Sequence, residues 1–274
     1  MAGPDVLSTR IDDGVGVVTL GSPGRIHFDA EMCDALLAAL TALEKDDGIR
    51  VVVVTGGAPG YFIRHYSVAE LIVLGEKLQG FGQKRPEDAP YKPGSFAKAV
   101  RLAEQMTKPV IAAISGTAMG GAFEFALACD IRIAQAGDFQ IGLPEINIGI
   151  LPGGGGTQRL PRTIGTSAAL MHILMGETLS PLQAAQKGLV HEAVPGKALD
   201  RAMAIARRLA NHTPQSVRHI KRLVKSALET PLERGLQLES NLFLDLCGSE
   251  EAIARMKKYE SKGLTDPSQT LDIK

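Results

Sequence analysis

The sequence predicts an α/β protein whose strands are covered on both faces and whose C-terminal part is helical. Three observations carry this. Runs at 15–20, 51–55 and 110–114 are β-rich and almost wholly apolar, without the alternation of a half-exposed strand. Between the first two, Met32, Leu36, Leu37, Leu40 and Leu43 recur at helical spacing. From about Leu199 onward strand signals cease, and apolar helical periods follow one another.

Taken in order, residues 1–10 lack the apolar core and basic run of an export signal, so a cytoplasmic setting is expected. A strand, helix and strand follow through residue 55. Residues 76–98 mix Gly80, Gly82, Pro86, Pro90 and Pro93 with charges and show no sustained apolar period. They are expected to form an irregular, mobile surface segment, either a functional lid or a disordered insertion. A helix is expected over 96–106, stopped by Pro109, and then a strand over 110–114. Residues 110–128 carry one charge, Glu124, but Gly116, Gly120 and Gly121 interrupt them, which favours a buried strand, turn and helix over a membrane span. Helices are expected over 202–211, 216–228, 232–246 and 250–259. Leu232, Leu236, Leu242, Phe243 and Leu246 give them more apolar surface than they can bury alone, so docking on the core or on another subunit is expected.

Composition limits the partners. With 274 residues and 45% apolar content the chain can bury a full core, as one large domain or one domain with an appendage. Thirty basic and thirty acidic side chains cancel, leaving no global field to gather nucleic acid or an anionic membrane surface. Cys33, Cys129 and Cys247 are far apart and in apolar settings, which fits reduced thiols.

The chemistry concentrates in three segments. Residues 114–124 read as a buried strand, a glycine-rich turn and a helix start whose free N–H groups suit an enolate oxygen, with Glu124 one turn beyond Gly121. The bland alternative is that the glycines allow close packing and Glu124 caps free amides. Pro144-Glu145 places a second carboxylate in an apolar neighbourhood. Two poorly solvated carboxylates with separated pKa values can hold one proton between them and act as base and acid. Residues 151–160, with Gly153 to Gly156, look like a phosphate loop but lack its Lys-Ser/Thr ending, so a tight turn bringing backbone against the site is favoured. His172, His191, His212 and His219 lack metal-ligand spacing, and no metal is expected. No Gly-x-Ser-x-Gly elbow is present.

The order of these motifs resembles the crotonase superfamily, the enoyl-CoA hydratase/isomerase family, over nearly the whole chain. The resemblance rests on Lys108 through Gly116, Gly120-Gly121, Glu124, Cys129-Asp130, Pro144-Glu145 and Gly155-Gly156-Thr157-Gln158-Arg159-Leu160. It extends through residues 182–190 and 214–243. It implies a crotonase-like spiral of ββα units at residues 1–198, followed by a C-terminal helical trimerisation region at 199–274. The assembly it implies is a homotrimer or a hexamer made as a dimer of trimers.

By that resemblance, Glu124 and Glu145 match the two catalytic glutamates, and the amides of Gly121 and Tyr66 form the oxyanion hole. Gly153 lies where backbone approaches the catalytic water. Binding of an acyl-CoA thioester is implied along residues 25–27 and 66–69, with His27, His65, Ser67 and Val68 as substrate-binding positions through their backbone. Coenzyme A belongs to the substrate, so no separate cofactor is expected. The sequence departs from the family at His65 and Tyr66, where small residues are usual. Bulk there would reshape the pocket, and positive φ would be harder at His65 than at glycine. Most relatives carry Asn at the position of His27, and the tail from Glu260 lacks the usual basic and aromatic ending. The implied reaction is hydration of a 2-enoyl-CoA. The rivals are isomerase, lyase or hydrolase chemistry on a bulkier acyl group and, outside enzymes, an RNA-binding or scaffold relative. The neutral charge balance and the intact carboxylate pair argue against that last reading.

Overall fold

A computed structural model describes residues 6–80 and 86–263. β1 (Leu7–Asp12) and β2 (Val15–Leu20) form an antiparallel hairpin. Its Asp13-Gly14 turn has positive φ at both residues, the backbone that matches strand twist in a two-residue turn. α1 (Ala30–Lys45) begins where the Asp29 carboxylate accepts the Met32 amide at 2.8 Å, and it buries Met32, Leu36, Leu40 and Leu43.

Three strand pairs then repeat one pattern. β3 (Val51–Gly56), β5 (Val110–Ile114) and β7 (Ile131–Gln135) join a six-stranded sheet, and each is followed by a short strand in a second sheet: β4 (Gly60–Ile63), β6 (Gly116–Met119) and β8 (Ile141–Gly142). α2 (Val68–Gly80) and α3 (Ser95–Gln105) follow β4, and α4 (Gly121–Ala128) follows β6. After β8 come a 3-10 turn, Glu145–Ile148, and then α5 (Gly156–Ile164) and α6 (Thr166–Met175). β9 (Thr178–Leu179), α7 (Pro181–Gln186) and β10 (Glu192–Val194) complete the sheets, and α8 (Ala198–Ala210), α9 (Pro214–Ser226), α10 (Leu232–Cys247) and α11 (Glu250–Ser261) end the described chain.

The large sheet runs β1-β2-β3-β5-β7-β10 and is parallel beyond the first hairpin; the small one runs β4-β6-β8-β9. Successive side chains of a strand point to opposite faces. Val18, Leu20, Val52, Val54, Ala112 and Ile114 therefore enter the main core with α1, α3 and α4, while Val15, Val17, Val51, Val53, Ile111 and Ala113 meet Ala198, Ala202, Met203 and Ala206 of α8. Both faces are covered, which is why the sequence shows apolar runs without alternation.

Two sequence expectations need correction. Residues 76–80 belong to α2 and residues 95–98 to α3, so the irregular part of 76–98 is confined to 86–94 among the described residues. Residues 81–85 lie outside them, as do 264–274 of the divergent tail. The Gly116–Met119 stretch, expected as a turn, is a strand instead. It fits because Gly116 packs on Gly60: a Cβ there would stand 2.1 Å from the Gly60 carbonyl carbon. Within the described residues no helix is long and apolar enough to cross a membrane. The stretch 110–128 is strand, strand and buried helix.

Candidate active site

β4, β6 and β8 lie side by side in the small sheet and run parallel, with Ile63 opposite Ala118 and Met119 opposite Gly142. The segments leaving their C-terminal ends are therefore neighbours. These are Arg64-His65-Tyr66, Gly120-Gly121 and Leu143-Pro144-Glu145. Two further bonds continue the ladder into them, from Met119 N–H to the Arg64 carbonyl and from Gly120 N–H to the Gly142 carbonyl, both 2.9 Å.

Glu124 sits in the first turn of α4 and is 2% exposed. Its Oε1 accepts two amides, Gly154 N–H and Gly156 N–H, each at 2.7 Å. The glycine-rich loop is thus an anion cradle, and the anion it holds is the protein's own carboxylate. Gly156 opens α5, so Glu124 does cap free amides, but those of a different helix. Arg159 fixes the loop, donating to the Gly154 carbonyl at 3.0 Å and through two 2.8 Å bonds to both Glu104 oxygens. Burial pushes the Glu124 carboxyl above its ordinary range, opposed by the loop amides and by the charge of Arg159.

Glu145 opens the 3-10 turn after Pro144 and is 8% exposed. Its Oε2 is buried and has no hydrogen-bond partner in the protein. Burial, with the negative charge of Glu124 second, pushes this carboxyl up to about 7. The two carboxylates oppose each other's ionisation, so the pair favours holding one proton between them.

Phe28 and Tyr66 form a parallel bridge in which Phe28 N–H donates to the His65 carbonyl and Ser67 N–H to the Phe28 carbonyl. In such a bridge the amide of the middle residue points away from the partner strand. Tyr66 N–H is thereby turned toward α4, and a Cβ built on Gly121 would lie 3.6 Å from the Tyr66 nitrogen. Gly121 is the first residue of α4, so its amide has no partner within the helix. Two amides from different segments are brought together beside Glu124.

The departures at His65 and Tyr66 are accommodated without strain. Among the described residues Asp13 is the sole non-glycine at positive φ, so His65 avoids the backbone expected to be difficult. Its Nδ1 donates to the Tyr66 carbonyl at 2.7 Å, and its ring lies against His27 with centroids 4.5 Å apart. Burial first, then the nearby His65 and Arg64, lower the His27 pKa. The Tyr66 ring packs edge-to-face with Phe96, centroids 5.7 Å apart, and its hydroxyl donates to Glu70 at 2.9 Å. Ser67 starts α2, its hydroxyl accepting the Glu70 amide at 3.3 Å, and Val68 is exposed beside it. Gly153 is exposed, with open space in front of its Cα, whereas Gly154 and Gly156 hold the carboxylate.

Sequence reasoning did not single out Phe96, Arg159 with Glu104, or Glu70. Only the Gly-x-Gly-x-x-Arg spacing of Gly154, Gly156 and Arg159 offered a signal. A cavity of about 800 Å³ also opens at the opposite ends of β5 and β7, against Pro109, Asp130 and Ile131, and none of the residues above lines it.

Comparison with known proteins agrees with this architecture. Residues 10–266 match the family described as enoyl-CoA hydratase/isomerase. The chain is 34% identical over 260 residues to a probable enoyl-CoA hydratase of Bacillus subtilis (strain 168), covering 94% of this chain and 96% of that protein. It is 36% identical over 255 residues to the 2,3-dehydroadipyl-CoA hydratase of Escherichia coli (strain K12), covering 91% and 93%. The crystal structure of an enoyl-CoA hydratase from Bacillus anthracis superposes with a TM-score of 0.83 at 28% identity, over 94% of this chain and 96% of that one. With a spiral of paired strands and a family match along nearly its whole length, the chain belongs to the enoyl-CoA hydratase/isomerase family of the crotonase superfamily.

Proposed function

We propose that the protein is an enoyl-CoA hydratase, adding water across the 2,3 double bond of an enoyl-CoA thioester. The observation that carries this reading is the buried pair Glu124 and Glu145, set beside the converging amides of Tyr66 and Gly121. The 2,3-dehydroadipyl-CoA hydratase among its relatives supports the same reaction type.

The thioester oxygen accepts both amides, which stabilise negative charge as it develops in a site shielded from bulk solvent but holding the reacting water. Glu124, held as an anion by two loop amides, takes a proton from water as its oxygen bonds to the β-carbon. The π electrons move to the α-carbon and the thioester oxygen. Glu145, which carries the shared proton, delivers it to the α-carbon. One C–O and one C–H bond form, the π bond is lost, and a proton passes from Glu124 back to Glu145 before the next turnover. His27, His65, Ser67 and Val68 line the approach for coenzyme A, with backbone rather than side-chain contacts, and Gly153 borders the water position.

An isomerase would need one carboxylate to carry a proton between carbons and no water. The two reactions separate on product analysis. A hydratase converts crotonyl-CoA to the 3-hydroxyacyl thioester, whereas an isomerase leaves it unhydrated and converts a 3-enoyl thioester to the 2-enoyl form. Accumulation of the second product alone would overturn the hydratase reading.

The same reading includes a homotrimer or a dimer of trimers, with residues 199–274 as the associating region. Leu232, Leu236, Phe243 and Leu244 of α10 are exposed in the single chain, which supports association through that helix. The free, buried thiols of Cys33 and Cys129 support a reducing, cytoplasmic setting.

A further inference from the structure

Phe96, the second residue of α3, stands at the centre of the site although neither carboxylate chemistry nor the oxyanion amides require it. Its ring is fixed from behind by Phe28, which is fully buried, with centroids 5.4 Å apart, and from the side by Tyr66 at 5.7 Å. Both contacts fall in the range of favourable aromatic pairs. α3 itself is anchored through Ala99, Val100 and Ala103 in the main core. The opposite side of the ring faces the reacting groups. A Cβ built on Gly121 would lie 3.4 Å from Phe96 Cζ, and one built on Gly154 would lie 2.6 Å from Phe96 Cε1 and 2.7 Å from Glu124 Oε2.

A thioester whose oxygen sits on the Tyr66 and Gly121 amides must direct its α- and β-carbons toward Glu124. The acyl chain beyond the β-carbon then meets the Phe96 ring. We propose that Phe96 is the residue that limits acyl length, an apolar wall backed by Phe28 and Tyr66 that admits short acyl thioesters and excludes long ones. This rests on the hydratase reading for the position of the thioester.

The test compares butyryl-CoA with decanoyl-CoA, saturated thioesters that bind without reacting, by calorimetry on the wild type, Phe96→Ala, Phe96→Leu and Phe96→Trp. The wild type is expected to prefer butyryl-CoA. The decanoyl-to-butyryl affinity ratio should rise by about tenfold or more in Phe96→Ala, rise less in Phe96→Leu and fall in Phe96→Trp, since a methylene in a shaped pocket is worth about tenfold or more. kcat/KM on the matching 2-enoyl thioesters should move the same way. A wild type that binds decanoyl-CoA at least as tightly as butyryl-CoA overturns the proposal whether or not the variants fold, and so does a ratio unchanged across the series. A shifted binding ratio with no turnover of any enoyl thioester would leave the length limit standing and remove the hydratase reading.

Discussion

The Gly156 amide donates to Glu124 Oε1 at 2.7 Å, so the start of α5 fixes a carboxylate carried by the first turn of α4. One helix carries the carboxylate, another orients it through its amide, and the loop between Pro152 and Gly156 sets the distance. At Gly154 that arrangement leaves no room for a side chain beside the carboxylate. Gly154→Ala would place a methyl 2.7 Å from Glu124 Oε2 and 2.6 Å from Phe96. Overpacking of this kind costs roughly 1–3 kcal/mol. Because the strain falls on the carboxylate, kcat is expected to drop by about a hundredfold, with a smaller loss of thermal stability; steady-state kinetics with a melting curve checks both.

Glu145 should oppose folding while it serves the reaction. Its carboxyl rises from 4.5 to about 7 on folding. The folded state therefore binds the proton more tightly than the unfolded chain, and stability falls as pH rises from 4.5 to about 7, levelling off above. The full shift corresponds to roughly 3 kcal/mol. Glu145→Gln, neutral at all pH, is expected to be more stable than the wild type at pH above 7 and nearly equal below 4.5. Denaturant titrations at both ends measure it; equal stability at both would contradict the buried, coupled carboxyl.

The same carboxyl governs the pH profile. With Glu145 as the proton donor in hydration, kcat/KM should fall as pH rises through about 7, the value belonging to the pair rather than to one residue. Glu145→Gln should lower the rate by about 10²–10⁴ and abolish that limb. A residual rate that keeps the wild-type profile would reassign the donor.

Tyr66 is held at both ends. Its hydroxyl donates to Glu70, whose carboxylate also accepts the Ala30 amide at the start of α1. Tyr66→Phe removes a bond to a charged acceptor in a half-buried setting and should cost about 1 kcal/mol of stability. With Phe96 still packed on the ring, the oxyanion amide should remain in place, giving less than about a tenfold loss of kcat. Tyr66→Ala, which removes the ring as well, should lose considerably more.

The central strands β2, β3 and β5 of the large sheet were legible because both of their faces are buried, so Val51 to Val54 read as a run that only a covered strand explains, whereas β1, β7 and β10 of the same sheet were not read as strands. Glu124 and Glu145 stood out as carboxylates in apolar sequence, and the structure buries both. The short strands β4, β6 and β8 were not legible. With two to four residues each they have no period to detect, and Gly116 to Met119 took on strand form only through Gly60 across the sheet. Phe96 was seen as part of a helix but not of the site, since its meeting with Gly121 and Glu124 depends on how α3 packs against α1 and α4. The irregular segment was drawn too long because Gly75 and Gly80 in α2 masked a helix with exposed apolar residues and no buried ones.

The most direct test of the account follows the loss of conjugated enoyl-thioester absorbance when purified protein meets crotonyl-CoA, beside Glu124→Gln and Glu145→Gln. In Glu124→Gln the side-chain carbonyl can still accept the Gly154 and Gly156 amides, and Glu145→Gln removes a buried carboxyl whose Oε2 has no partner in the protein, so both variants should fold. The account predicts rapid loss in the wild type, with a 3-hydroxyacyl thioester as product, reduced by about 10²–10⁴ in each variant. Wild-type rates in either variant, or an intact absorbance in a wild type that binds crotonyl-CoA, would contradict hydration by the carboxylate pair.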